Sequence, residues 1–459
     1  MNETSAILRK YFADPASQPV EHWAEDRLRA YQTEALAEQL AHVYRNSRFY
    51  REKFDRAGTR PDDFRSLDDL ARFPFTTKDE LRVTGHGAQR SNPWVLLSVP
   101  MEEVCLVHTS TGTTGGDWSY TFYTWEDMHL RDFAPFPRLL MPVNANDVVL
   151  NALPYEMSSS GQSFQRSLQG VTGALVVPAG KAGFHSDPYK TAQIMADLRV
   201  TVLITTPPYA MLLAEILEQL GVQPGTDVPV RFIWLTGEGC ASAYRRRLEE
   251  LWQCRGLVFY GSMECGSIGI ECNRQSGSHV SAGHLYLEVI DPRSGMPLPP
   301  GESGEVVCTL LQRKASPLIR YRTQDLAILD MSPCPCGVRF PRLHVRGRIV
   351  DQVSGGEAGE AVVSPYVIEE VLYSQPEMGH NYQIYTSNEV LQIDAELRPG
   401  DSDPTGARER VEQLLHRRGL RAELTWVKHI PRVGGKTRRI RPLAERQAVM
   451  AAVSLLKQD

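Results

Sequence analysis

Between residues 20 and 58, Leu28, Tyr31, Ala35, Leu36, Leu40, Val43 and Tyr44 recur near every 3.6 residues, with charged residues between them. That spacing predicts an amphipathic helical region, which Pro61 and the polar stretch after it bring to an end. From about Leu97 the pattern changes. Unbroken apolar runs lie at 147–153, 173–178, 200–205, 230–235 and 257–260, and helical patterns over 188–198, 209–220 and 241–252 separate several of them. Such runs read as buried strands, and strand–helix–strand spacing predicts a mostly parallel sheet covered on both faces. After His284 the runs 285–290 and 304–310, joined through Asp291-Pro-Arg-Ser-Gly295, predict antiparallel strands with tight turns. Past Arg348 a glycine-rich patch (Gly355, Gly356, Gly359) leads to a helix over 365–372 and strands over 381–385 and 390–396. A helix over 407–418 and a strand over 424–428 follow, which makes a small α+β unit. The expected fold class is α/β. A large N-terminal domain, 1–347, carries mostly parallel sheets flanked by helices plus an antiparallel β subdomain, and a small mobile α+β domain covers 348–459.

Composition alters this picture little. With 459 residues, 42% of them hydrophobic and 23% charged, the chain has room for a sizeable core in two or three domains. A net charge of −5 gives no global basic signal for nucleic acid or an anionic membrane surface, and neither partner is expected. Arg245-Arg-Arg247 and Arg438-Arg439 read as solvated faces. No apolar run approaches membrane-helix length, and the first residues lack the apolar core of a signal peptide, so the expected location is cytoplasmic. There the eight cysteines read as thiols or metal ligands rather than disulfides.

Candidate chemistry lies at the ends of the apolar runs. Thr109, Ser110, Thr111, Gly112, Thr113, Thr114 and Gly115 form a Ser/Thr-Gly loop between the run 104–107 and the aromatic run 120–123. Bare backbone amides and hydroxyls suit phosphate oxygens, although a polar hairpin loop has the same composition. No Lys-Ser/Thr closes the loop, so it is not of the Walker kind. Tyr260, Gly261, Ser262, Met263 and Glu264 follow a predicted strand. That position offers an acid at a strand end, where open parallel sheets bind ligands, or an ordinary surface turn. Gly237-Glu238-Gly239 ends another strand. Ser242 occupies the last glycine position of a dinucleotide fingerprint, which argues against nicotinamide binding. Asp325 closes the stretch that begins at Arg320; its carboxylate suits a pair of ribose hydroxyls, and the alternative is a solvated turn. Arg348, Val350 and Asp351 lie where two textures meet, the place for a hinge. Lys436 rides a glycine-flexed loop near the C-terminus.

Cys272 and His279, then Cys334 and Cys336, offer pairs of soft ligands from two tight turns. They suit a closed, structural, tetrahedral zinc site within a β subdomain over about 272–345. The alternative is buried thiols beside an exposed histidine. Cys105, Cys240, Cys254, Cys265 and Cys308 read as small core residues.

In this order the pieces resemble the adenylate-forming ligases, and among them the phenylacetate–CoA ligase family. The 109–116 loop resembles that family's phosphate loop, and Gly237-Glu238 its adenine-side pair. Tyr260 to Glu264 resembles Tyr-Gly-x-Thr-Glu, and Tyr321 to Asp325 matches Tyr-Arg-Thr-x-Asp in full. Gly347-Arg348 resembles the hinge motif and Lys436 the mobile catalytic lysine. Phe49-Tyr50 through Lys78 also resembles the family, so the likeness covers nearly the whole chain. The resemblance implies activation of an aromatic acid by ATP with Mg²⁺ and transfer to CoA. It implies catalytic roles for Lys436, Glu264 and Arg348, with magnesium on Glu264. Nucleotide contacts would come from residues 109–115, Gly237, Glu238, Tyr260–Met263 and Asp325, and acyl contacts from Tyr155, Ser160, Gly161, Gly237, Gly261 and Ser262. Some members carry a comparable Cys/His set, and the likeness points towards a homodimer.

The chain departs from the pattern in several places. Met263 replaces a threonine, Val350 replaces a hinge Asp, and the segment 355–360 lacks the usual Gly-Val-Asn. Gly116-Asp117 stands where many adenylating enzymes carry Pro-Lys, so the loop brings no positive charge of its own. The polar stretch 155–162 points to a ring bearing hydroxyl or amino groups, as in a substituted benzoate. Two other readings stay open: a carrier protein in trans or an amine as acceptor, and a non-catalytic nucleotide-binding zinc scaffold. Retention of Glu264, Asp325 and Lys436 together speaks against the scaffold.

Overall fold

The computed structural model describes residues 6–12, 18–82, 92–110, 118–132, 142–183, 185–354, 362–387, 390–398, 404–430 and 438–448. The chain divides into two compact units: Met1–Asp147, Pro154–Pro178 and Leu257–Val345 form the first, and Val148–Leu153, Ala179–Gly256 and Arg346–Asp459 the second. The last crossing between the units falls at Val345/Arg346, and the second unit also takes in two earlier stretches.

In the first unit the periodic stripe becomes the helices Glu25–Asn46 and Arg48–Ala57. Tyr31, Leu36, Leu40, Val43 and Phe54 are fully buried. The helices break at Ser47, whose hydroxyl accepts from the Tyr50 amide, and Gly58 stops the second one in a left-handed conformation. These helices share one core with strands of the antiparallel region, through Ile268, Leu285, Val306 and Ile319 among others. Leu285–Ile290 and Ser303–Leu310 pair antiparallel, as expected, and Tyr321–Asp330 adds a third antiparallel strand beside them.

Two local readings need correction. The strand Arg255–Ser262 runs on past Tyr260 and turns straight into the antiparallel strand Gly266–Glu271, so Tyr260–Ser262 end a strand and the motif forms a hairpin rather than a loop that follows the strand. The stretch 320–325 is not a closing turn, because it enters the ten-residue strand Tyr321–Asp330. Among the described residues four α-helices lie outside the predicted ones: Trp125–Asp132 and Ser159–Thr172, and the shorter Ala6–Phe12 and Lys78–Leu81. Ser159–Thr172 opens on the serine-rich segment, whose polarity hid its helical period.

In the second unit Val148–Asn151, Val202–Thr205 and Phe232–Thr236 pair in parallel. Leu150, Leu203, Ile204, Ile233 and Trp234 are fully buried, as strands covered on both faces require. Pro188–Asp197, Pro207–Gln219 and Ser242–Trp252 are the helices between and after them. Nearer the C-terminus, Met378–Thr386 pairs antiparallel with Leu391–Leu397 and parallel with Ile440–Pro442, and Ala422–Val427 runs parallel to Leu391–Leu397. Pro365–Tyr373 and Pro404–His416 are its helices. Among the described residues no helix is long and apolar enough to cross a membrane.

Candidate active site

A bulge positions the first functional pair. Between strands Ser303–Leu310 and Tyr321–Asp330, Arg322 faces Val307 and Leu326 faces Glu305, so one strand advances four residues while the other advances two. Gln324 absorbs the excess with a φ of 64°, and its amide donates to Glu305 Oε1 at 3.1 Å. Bulges re-aim side chains. Here Asp325 accepts the Tyr260 hydroxyl at 2.7 Å on Oδ2. Burial, then the Asp325 charge, pushes the Tyr260 phenol well above its usual range, so Tyr260 stays a donor. Arg322 of the same motif ion-pairs with Glu305. Arg320 is committed to Glu288 at 2.8 Å.

The hairpin turn carries the second group. Gly261 is required because an added Cβ would overlap Gly266 O. Ser262 Oγ accepts the Cys265 amide at 3.0 Å and fixes the turn. Glu264 is buried at 5% exposure, and its Oε1 accepts Ser119 Oγ at 3.0 Å with Lys78 Nζ at 3.7 Å. Arg313 donates to Glu264 O and Cys265 O, so the backbone is clamped as well.

The Ser/Thr-Gly loop is described only at its base. Thr109 pairs with Tyr120, and its amide donates to Met157 O at 3.0 Å. Ser110 N donates to Ser119 O and Ser119 N to Ser110 Oγ, which closes a hairpin neck. Thr111, Gly112, Thr113, Thr114 and Gly115 lie outside the described residues, as do Lys436 and its loop.

Around the expected acyl site, Gly161 packs so closely that a Cβ would lie 2.7 Å from Pro154 O and from the Tyr155 ring. Ser158 caps the helix through the Ser160 amide, its hydroxyl meets Ser160 Oγ at 3.0 Å, and Gln162 donates to Tyr155 O. Ser159 Oγ lies 3.3 Å from Met263 Sδ. Phe164 meets Phe259 edge-on at 4.8 Å.

In the second unit, Gly237 takes a φ of 80° and Glu238 pairs with half-buried Lys181 at 3.2 Å. Arg348 ends a strand and Ile349–Asp351 forms a short turn of helix with Val350 exposed.

The four soft ligands converge. The donor atoms of Cys272, His279, Cys334 and Cys336 all lie within 4.8 Å of one another. Cys272 Sγ and Cys334 Sγ are 3.8 Å apart, and Cys336 Sγ is 3.3 Å from His279 Nε2. A tetrahedral zinc with bonds of about 2.3 Å holds its thiolates about 3.8 Å apart. His279 is buried, not exposed, and its Nδ1 meets Phe340 O at 3.1 Å, which leaves Nε2 for the cluster. The donor set fits zinc. Of the five cysteines assigned to the core, Cys265 and Cys308 are buried, Cys240 and Cys254 are half-buried, and Cys105, just before the strand Leu106–Thr109, is exposed.

Residues 122–309 match the AMP-binding enzyme family. A phenylacetate–coenzyme A ligase of Thermus thermophilus is 35% identical over 387 residues, covering 83% of this chain and 82% of that one. The chain belongs to the phenylacetate–CoA ligase family. A phenylacetate–coenzyme A ligase of Escherichia coli is 30% identical over 411 residues, covering 87% of this chain and 88% of its own. The fold also matches a crystal structure of 2-hydroxyisobutyryl-CoA ligase in complex with R3-HIB-AMP, with a TM-score of 0.82 and 23% identity over 97% of this chain and 96% of the other. This phenylacetate–CoA ligase family member is an AMP-forming acid–thiol ligase that uses ATP and CoA. Sequence reasoning missed Lys78 and Ser119 beside Glu264, and Lys181 beside Glu238. Lys78 opens a short helix that carries a T-x-x-E capping box, Thr77 with Glu80; that signature marks the helix start but not what the lysine faces.

Proposed function

We propose that this enzyme activates an aryl acid. The observation that carries the aromatic reading is the Tyr155 ring, which packs against Gly161 at the expected acyl site. The relatives named phenylacetate–coenzyme A ligases agree with it. Most hydroxyls and amides of the 155–162 stretch serve the start of the helix, so an unsubstituted phenylacetate-like ring is the first expectation. A hydroxy- or amino-substituted benzoate is the second reading, favoured by Glu156 and Ser159 on the same turn.

In the first step a carboxylate oxygen attacks the α-phosphorus of ATP, the bond to the β-phosphate breaks, and pyrophosphate leaves. In the second, the sulfur of CoA attacks the acyl carbon, the bond to the phosphate oxygen breaks, and AMP leaves. Such transfers depend mainly on positioning and charge stabilisation. Residues 109–115 cradle the outer phosphates, Asp325 with Tyr260 engages the ribose, and Gly237-Glu238 flanks the adenine. Glu264 would hold Mg²⁺, which offsets phosphate charge. A single carboxylate with phosphate oxygens is the usual magnesium set. Lys78, beside Glu264, supplies the cation that the Gly116-Asp117 loop lacks. Lys436 contacts the reacting carboxylate and α-phosphate, and residues 348–351 let the C-terminal segment change position between the steps. Cys272, His279, Cys334 and Cys336 would hold a structural zinc with no open position.

The test is acid-dependent ATP–pyrophosphate exchange over a panel of aryl and short aliphatic acids, followed by CoA addition. Exchange should be strongest with phenylacetate-like acids and should yield a thioester. Exchange as strong with a short aliphatic acid would sink the aryl reading, and preference for an aminobenzoate or hydroxybenzoate would promote the second.

A further inference from the structure

The helix Ser242–Trp252 has no capping side chain of its own, because Ala241 stands at its N-cap. Its first amides are satisfied from more than a hundred residues away. Glu369 Oε2 accepts from Ala241 N at 2.6 Å, and Glu370 Oε2 accepts from Ala243 N at 2.7 Å. Anionic oxygens at a helix N-terminus make strong, charge-assisted hydrogen bonds and favour the dipole. Both glutamates belong to the helix Pro365–Tyr373. Arg246 adds an ion pair to Glu370 at 2.9 Å, and Tyr244 stacks on Tyr373 with ring centres 4.2 Å apart. At the start of the same helix, Tyr366 fills the space in front of Gly239, where any Cβ would overlap its hydroxyl. Glu369 also accepts from Tyr382 at 2.9 Å, and Arg439 lies over the Tyr382 ring at 4.3 Å. Arg439 is three residues beyond Lys436.

We propose that Glu369 and Glu370 are positioning residues. They latch the helix Pro365–Tyr373 onto the Gly237–Gly239 turn and the helix Ser242–Trp252, and release of that latch sets the ratio of the two half-reactions. The inference rests on the reading that the C-terminal segment changes position between adenylation and thioester formation. Its physical content is that one arrangement caps the helix from outside and any other exposes two orphan amides.

The experiment uses the full chain and measures two rates separately: acid-dependent ATP–pyrophosphate exchange, and CoA-dependent consumption of preformed acyl-adenylate. In Glu369→Ala/Glu370→Ala the ratio of the two rates should shift by about tenfold or more, within the usual range of coupling between sites. Glu369→Gln/Glu370→Gln keeps the oxygen acceptors and should restore most of the ratio. If the alanine pair fails to fold, Gly239→Ala should displace Tyr366 and shift the ratio the same way, and adding Tyr366→Ala should reverse it. An unchanged ratio overturns the latch, as does an equal fall in both rates. Protease accessibility at residues 346–351 of the wild type tests the underlying reading: if it is the same with acyl-adenylate as with CoA product, the moving segment fails and the latch with it. If it changes while the variants keep their ratio, the latch alone fails.

Discussion

The Cys272–Cys336 cluster and the Glu264 neighbourhood are both buried polar sites in the first unit, and they are built in opposite ways. The cluster turns four soft donors on one point, with Phe340 O fixing the tautomer of its histidine. Nothing in it is left for a substrate. At Glu264 the Ser119 hydroxyl, at 3.0 Å, and the Lys78 ammonium, at 3.7 Å, approach a single oxygen, Oε1. A closed set of ligands holds structure together, whereas a hard oxygen with a cation beside it is arranged for charge that arrives with a ligand.

The largest expected effect tests the second kind of site. Lys436→Ala should lower adenylation by about a thousandfold while sparing CoA attack on preformed acyl-adenylate, because its charge acts where the transition state develops. Equal loss in both half-reactions would remove it from that role. Glu264→Gln keeps the shape and loses the charge; pyrophosphate exchange should fall about a hundredfold, with the magnesium requirement raised. A variant with wild-type magnesium dependence would show that the metal sits elsewhere. The cluster should respond the other way round. Cys334→Ser should cost about 2 kcal/mol of stability, lower the melting temperature by a few degrees and reduce bound zinc, with KM for ATP unchanged. Intact zinc and stability would break the comparison.

The smallest effect is on the pH dependence of stability in the same unit. Burial, then Arg131, lowers His108 to about 4, and burial, then Arg313, lowers His284 to about 4. Both are neutral in the folded chain at pH values where the unfolded chain protonates them. Stability from these groups is therefore full above pH 6.5 and declines as pH falls towards 4, by about 1 kcal/mol per pH unit for each. His108→Gln should flatten part of that slope in denaturant titrations between pH 6.5 and 4. An unchanged slope would mean that His108 is charged in the fold.

Much of the architecture was legible because burial writes itself locally. Val202–Thr205 and Phe232–Thr236 had to be unbroken apolar runs to survive between two helical layers, and the stripe from Tyr31 to Val43 had to repeat at the helical period. The Cys/His set was readable for a related reason, since soft ligands in tight turns are rare without a metal to hold. What the local pattern could not carry was partnership across the chain. Tyr260 finds Asp325 over 65 residues, Ser119 finds Glu264 over 145, and Ala241 is capped by Glu369 over 128. A strand's period says that a residue faces inward, not which strand will lie opposite or where a bulge will turn it. The polarity of 155–162 looked like a binding surface, yet most of it serves to start a helix. The sequence by itself determined the family motifs and most of the strands and helices, because those depend on neighbours a few positions away. Only the tertiary structure decided that Asp325 meets Tyr260, that Glu264 meets Lys78, and that one helix borrows its cap from another, because those depend on backbone register and pairing between segments far apart in the chain.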